Sequence, residues 1–182
     1  MNTNRNFRGV PSFILCMFLF PSIALASDGG SVASILGPIA LGWVAAIAVG
    51  WNKPKIGVAI ATLMGFGIAM YLGIQHDSSA PSACNIDSSF NCDIVNRSEY
   101  SEMMGYPIAF LGAAYYFSML LISVMAIGDS KKYRLAGMTL TATGGVAILF
   151  SVYLAYISKF VLGAWCLFCI GLYGVNVVLT LL

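Results

Sequence analysis

Apolar residues run along this chain in long unbroken stretches and do not alternate with polar ones. Five stretches contain no Asp, Glu, Lys or Arg: Ser31–Trp51, Ile56–Ile74, Tyr106–Ile127, Leu135–Ser158 and Phe160–Leu182. Each has about the 17–25 residues that an α-helix needs to cross hydrocarbon. Strands of a membrane barrel would be shorter and would alternate. The pattern predicts an all-α integral membrane protein of one domain. Composition agrees: the 182 residues are 59% hydrophobic and only 9% charged. An ordinary soluble domain is about 45–50% apolar and about 25% charged.

The first residues follow a different grammar. Arg5 and Arg8 form a short basic region, Phe13 to Leu25 an apolar one, and Ala24-Leu25-Ala26 a small-x-small site. This predicts a secretory signal peptide over residues 1–26, with an uncleaved short anchor as the alternative. Cys16 falls inside it and has no small residue before it, which argues against a lipoprotein attachment site. Cleavage would leave four cysteines: Cys84, Cys92, Cys166 and Cys169.

Lys and Arg bias short loops toward the cytoplasm. Lys53 and Lys55 follow the first stretch, and Lys131, Lys132 and Arg134 precede the fourth. With both connections inside, the mature N-terminus and the segment 75–105 lie outside. The acidic residues Asp28, Asp77, Asp87, Asp93, Glu99 and Glu102 then also lie outside.

On this topology the last helix runs inward from Lys159. At 1.5 Å per residue, Cys166 would lie about 10 Å and Cys169 about 15 Å below that rim. Residues i and i+3 of a helix have side chains about 5–6 Å apart, within reach of a disulfide. Two small core cysteines are the simpler explanation. A zinc site fits less well, because the remaining thiolates would come from a flexible outside loop. That loop, SACNIDSSFNCDIVNRSEYSEMMGYP, carries Cys84 and Cys92 in a compartment that permits disulfides. They are either a staple or one half of a relay, in which a mobile loop pair meets a soluble thiol and dips to exchange with the buried pair. A relay needs a terminal carrier that lives in the bilayer, and a quinone is the obvious one.

Taken together, these residues resemble the vitamin K epoxide reductase family in its bacterial form. The resemblance rests on Cys84-x7-Cys92 followed by Asp93, Ser98, Tyr100-Ser101, Gly105-x-Pro107, Cys166-x2-Cys169 and Tyr173. It covers about Ile56 to Leu182, the family's four-helix bundle. The stretch 31–51 is then one extra transmembrane helix. The resemblance implies a membrane thiol:quinone oxidoreductase supporting extracytoplasmic disulfide formation. In that reading Cys84 and Cys92 are the shuttle pair, and Cys166 and Cys169 the active-site pair. Cys169 lies beside the quinone (ubiquinone or menaquinone), with Tyr173 and Ser98 at the quinone site. The donor would be a thioredoxin-fold protein of the DsbA kind, and the location a bacterial inner membrane with the cysteine loop facing the periplasm. Thiol-driven reduction of a quinone or its epoxide is the runner-up. A non-enzymatic scaffold with structural disulfides is the rival from another class.

Other residues carry weaker expectations. Asn96-Arg97-Ser98-Glu99 suggests a short helix serving as a lid, and His76 a solvated loop residue. Gly65-Phe66-Gly67, Gly112 and Gly144-Gly145 suggest close helix packing. Asn176 shares the face of Cys169 but carries no assignment. No phosphate loop, catalytic triad, metal-ligand set or basic tract for nucleic acid stands out.

Overall fold

The computed structural model describes residues 32–125 and 130–181, without the side chains of residues 32 and 130–133. The expected signal segment with Cys16 lies outside them. Helices α1 (Val32–Asn52) and α2 (Pro54–His76) are separated at Lys53. Pro54 lacks an N–H and disfavours helical geometry in the residue before it, so it stops one helix and opens the next. A cap follows: α3 (Cys92–Asn96), a 3₁₀ turn (Glu99–Ser101), and strands β1 (Glu102–Met103) and β2 (Tyr106–Pro107). The strands pair antiparallel, Glu102 with Pro107 and Met103 with Tyr106. Their turn places Met104 and Gly105 at φ 55° and 79°, the two positive φ values that a type I′ hairpin requires. Helices α4 (Ile108–Met125), α5 (Ser130–Tyr156) and α6 (Leu167–Leu181) complete the chain.

Helix α2 is the hub, packing on α1, α4 and α6. Small residues set the approach. A Cβ on Gly65 would lie 2.6 Å from the Tyr116 ring, and one on Gly73 2.7 Å from the Phe110 ring. The extra helix α1 fits its Trp43 over Gly174 and Ile39 over Gly171 of α6. Gly67 and Gly145, expected to act alike, face open space: a Cβ on either would meet nothing within 4 Å. Helices α4 and α5 meet only sparingly, and a cavity lies between them.

The fifth apolar stretch is not one helix. α5 ends in a π-helical turn, Ile157–Val161, and Gly163 at φ 67° reverses the chain. Glycine adopts that conformation without steric cost. Ser158 Oγ donates to the Ala164 carbonyl at 2.5 Å, and Ala164 N–H donates back to the Ser158 carbonyl at 3.1 Å. α6 therefore starts only at Leu167 and has 15 residues, a rise of about 22 Å. The depths counted from Lys159 along a continuous helix are overturned by this break. Among the described residues, four helices are long and apolar enough to span a membrane, and α6 is a shorter apolar helix.

Candidate redox site

Asp93 organises the loop that carries the first cysteine pair. It accepts hydrogen bonds from Ser82 Oγ, from Ser82 N–H at 3.2 Å and from Asn85 Nδ2 at 2.6 Å. Arg97 Nη2 lies 3.5 Å away. Partial burial pushes the carboxyl upward, but the Ser82 and Asn85 hydrogen bonds and the Arg97 charge outweigh it. Its pKa falls below the ordinary 3.8. Asn91 caps α3 by accepting from Asp93 N–H and Ile94 N–H, both at 3.1 Å.

The loop is tied to the chain just before Cys166. Trp165 N–H donates to the Ser89 carbonyl at 2.7 Å, and Asn91 N–H donates to the Trp165 carbonyl at 3.0 Å. This parallel bridge between Phe90 and Trp165 sets Cys92 beside Cys166. Cys84 and Cys92 form a disulfide with Cα atoms 5.7 Å apart. The sulfurs of Cys84, Cys92 and Cys166 all lie within 4.8 Å of one another. All three residues are buried, packed with Ile35, Ile39, Leu72, Leu167 and Phe168. The expected wet loop pair that must dip to reach a deeper couple is thus corrected: the loop pair is already docked and dry.

Cys166 and Cys169 are free thiols. Cys166 precedes the helix that carries Cys169, yet the two thiol side chains remain hydrogen-bonded neighbours, as the i, i+3 spacing suggested. The Cys166 Sγ accepts the Cys169 N–H at 3.3 Å, serving as the N-terminal cap of α6. Cys169 also borders open space. It lines a cavity of about 610 Å³ between α4, α5 and α6, roofed by residues between Val95 and Met103. Tyr173, one turn further along α6, lines the same cavity. So does Ser98 in the roof, with its Oγ donating to the Val95 carbonyl at 2.8 Å.

The structure gives places to residues that sequence reasoning left without a role at the site. Asn96 is buried in the roof and donates from Nδ2 to the Leu72 carbonyl at 2.8 Å. His76 is not solvated: its Nδ1 lies 2.6 Å from the Asn96 carbonyl oxygen and its Nε2 3.1 Å from Glu102 Oε1. Facing a carbonyl, Nδ1 carries a proton, so His76 ties the end of α2 to the cap. On the cavity floor, Tyr116 Oη donates to Asn176 Oδ1 at 2.9 Å, and Asn176 Nδ2 donates to Ser151 Oγ at 3.0 Å, joining α4, α6 and α5. Tyr115 also lines the cavity, and its buried hydroxyl has no hydrogen-bond partner among the described residues. A polar atom on an interhelical surface was the available signal; only the fold shows which of these surfaces encloses space.

The model of the vitamin K epoxide reductase family matches residues 56–182, so α1 precedes the matched region. A similar protein is vitamin K epoxide reductase complex subunit 1 of Mus musculus. It is 27% identical over 144 residues, covering 72% of this chain and 89% of the mouse protein. Members of the family are oxidoreductases that act on quinones and work with thiol-redox partners. By its bundle of apolar helices and by this match, the chain is a multi-pass membrane protein that belongs to the vitamin K epoxide reductase family.

Proposed function

We propose that the protein is a thiol:quinone oxidoreductase of a bacterial inner membrane, supporting disulfide formation in the periplasm. One observation carries the reading: the Cys166 sulfur lies within 4.8 Å of both sulfurs of the loop disulfide, while its neighbour Cys169 lines an apolar cavity. Electrons enter when a thiolate of a reduced thioredoxin-fold partner attacks the Cys84–Cys92 disulfide. The partner's second thiol resolves the mixed disulfide, so the partner is oxidised and two loop thiols remain. Cys92, beside the chain that bears Cys166, then attacks a Cys166–Cys169 disulfide at Cys166 and releases Cys169 as a thiolate. Cys84 attacks Cys92 in turn, restoring the loop disulfide and freeing Cys166. The pairing in this structure, with the loop oxidised and both helix thiols free, is the state that follows this exchange.

Re-forming the Cys166–Cys169 disulfide requires a two-electron, two-proton acceptor in the cavity. The residues present fit ubiquinone or menaquinone: an apolar chamber, a thiol at its wall, Tyr173 beside that thiol, and the unpartnered Tyr115 hydroxyl as a hydrogen-bond donor for a carbonyl. When bound, a quinone supplies the oxidant. Cys169 delivers the electron pair, Tyr173 and Ser98 bound the site, and the roof excludes water. Partners of the DsbA kind have potentials near about −120 mV, and a quinone drawing on them sets the direction. Sidedness is supported by Lys53, Lys55 and Arg134 lying at the ends of helices away from the cap.

The test is quinone reduction by the purified protein with a reduced thioredoxin-fold donor. Loss of quinone absorbance should match donor oxidation one to one, and Cys166→Ala should abolish both. Full activity in that variant sinks the reading. The mouse relative's name favours one second reading, thiol-driven epoxide reduction. Turnover of a quinone epoxide at rates above those with the quinone would replace the first reading by this one.

A further inference from the structure

The trio of sulfurs at the loop–helix junction does more than align an exchange. We infer that the reduced protein holds a three-sulfur site for a trivalent metalloid of the arsenite class, built from Cys84, Cys92 and Cys166. The sequence argued against a thiolate cage, because its remaining thiolates would come from a flexible outside loop. The fold removes that objection. Asp93 and the Phe90–Trp165 bridge hold the loop so that all three sulfurs fall within 4.8 Å of one another. A central atom about 2.3 Å from each sulfur, the length of a zinc–thiolate bond, holds them within about 4 Å of each other. Little closure is therefore needed once the disulfide is reduced. Cys169 is outside the group and faces the cavity.

Charge selects the ligand. Three thiolates around a cuprous ion carry two net negative charges, and around zinc one. The three residues are 0–1% exposed, their surroundings are Ile35, Ile39, Leu72, Leu167 and Phe168, and an uncompensated buried charge costs several kcal/mol. Arg97 is engaged by Asp93, and Lys159 lies over the Trp165 ring at 5.9 Å. A trivalent metalloid gives a neutral adduct. One arsenous acid and three thiols form three As–S bonds and release three waters, with no change of oxidation state. The site is gated by redox state, since the Cys84–Cys92 disulfide leaves only one of its three thiols. Occupancy locks the loop to Cys166 and stops exchange. None of this depends on which oxidant fills the cavity.

The experiment uses the full chain in detergent, reduced with a phosphine and treated with sodium arsenite. Intact mass should rise by one arsenic less three hydrogens. Alkylation mapping should find Cys84, Cys92 and Cys166 protected and Cys169 reactive. The unreduced protein, whose loop cysteines are held in their disulfide, should give no three-sulfur adduct. Cys169→Ser should bind as the wild type does, whereas Cys84→Ser and Cys166→Ser should lose more affinity than the roughly 10–100-fold cost of removing an outer partner of a metal site. The wild-type mapping decides the matter even where a serine variant misfolds. Protection of Cys166 and Cys169 with Cys84 still reactive would assign capture to the C-x-x-C pair and overturn the inference. So would the absence of any arsenic adduct.

Discussion

The two sides of the Cys166–Cys169 pair are built on opposite plans. On the Cys166 side every space is filled: a disulfide, a thiol and aliphatic side chains pack to near-complete exclusion of solvent. Backbone hydrogen bonds joining Trp165 to Ser89 and to Asn91 fix the spacing. On the Cys169 side about 610 Å³ stands open between helices that barely touch. Interiors of proteins are normally packed to crystal density, so the open chamber stands apart from the packed junction beside it. In the proposed relay, three residues of sequence separate two tasks. Exchange between sulfurs needs close approach and no room for error, whereas delivery to a diffusible acceptor needs a vacancy of the right polarity. Cys166 as helix cap borders the loop disulfide and Cys169 inside the helix borders the cavity, with the two thiols side by side between them.

That contrast is breakable, most severely by removing the sulfur at its open side. Cys169→Ala should bring quinone reduction to background while leaving donor thiols able to reduce the loop disulfide. Absorbance of the quinone and alkylation of Cys84 and Cys92 measure the two halves separately. Filling the chamber is the next largest effect. Ala147→Phe places a ring in the cavity wall and should raise the quinone KM by at least about tenfold, a loss of some 1.4 kcal/mol of binding. Sulfur exchange should be unchanged. Equal damage to both halves would mean the two sides are not independent.

The remaining changes sharpen the comparison. Asn176→Ala removes the partner of Tyr116 and Ser151 on the cavity floor. Interhelical hydrogen bonds in membranes contribute about 0.6–2 kcal/mol, and unfolding in detergent should show a loss of that order. Gly163→Ala strains a residue at φ 67° at a cost of about 1–2 kcal/mol. Because that turn positions Trp165, the variant should slow loop-to-helix exchange more than it alters quinone KM. The smallest effect concerns acid. Asp93 titrates lower in the folded loop than the ordinary 3.8, so its contribution is complete above that value. It is lost as pH falls through the lower folded value. Thermal stability of the protein in detergent should fall in that acid window, and Asp93→Asn should show the lower stability already at neutral pH.

Much of this fold was legible as length and polarity. Charge-free stretches marked most of the helices, the connection at Lys53 and Lys55 marked the break between α1 and α2, and the ordered cysteines, Ser98 and Tyr173 carried the family. What escaped was non-local. Gly163 lies in an apolar run that reads as helix, and only the pairing of Trp165 with Phe90, far away in sequence, shows why the chain must turn there. The same pairing makes the loop cysteines buried residues although their neighbours are polar. His76 looked solvated because its partners, Asn96 and Glu102, are 20 and 26 residues distant. Asn176 could be placed on the face of Cys169 by periodicity, but its link to Tyr116 and Ser151 needed three helices at once.

The relay stands or falls on whether the packed side passes electrons between the two couples. Cys169→Ala protein, exposed to oxidant, quenched in acid and mapped by non-reducing peptide analysis, reports this directly. The expected result is a disulfide joining Cys166 to the loop, at Cys92. Recovery of the Cys84–Cys92 bond alone, with Cys166 a free thiol under every oxidising condition tried, would contradict the account.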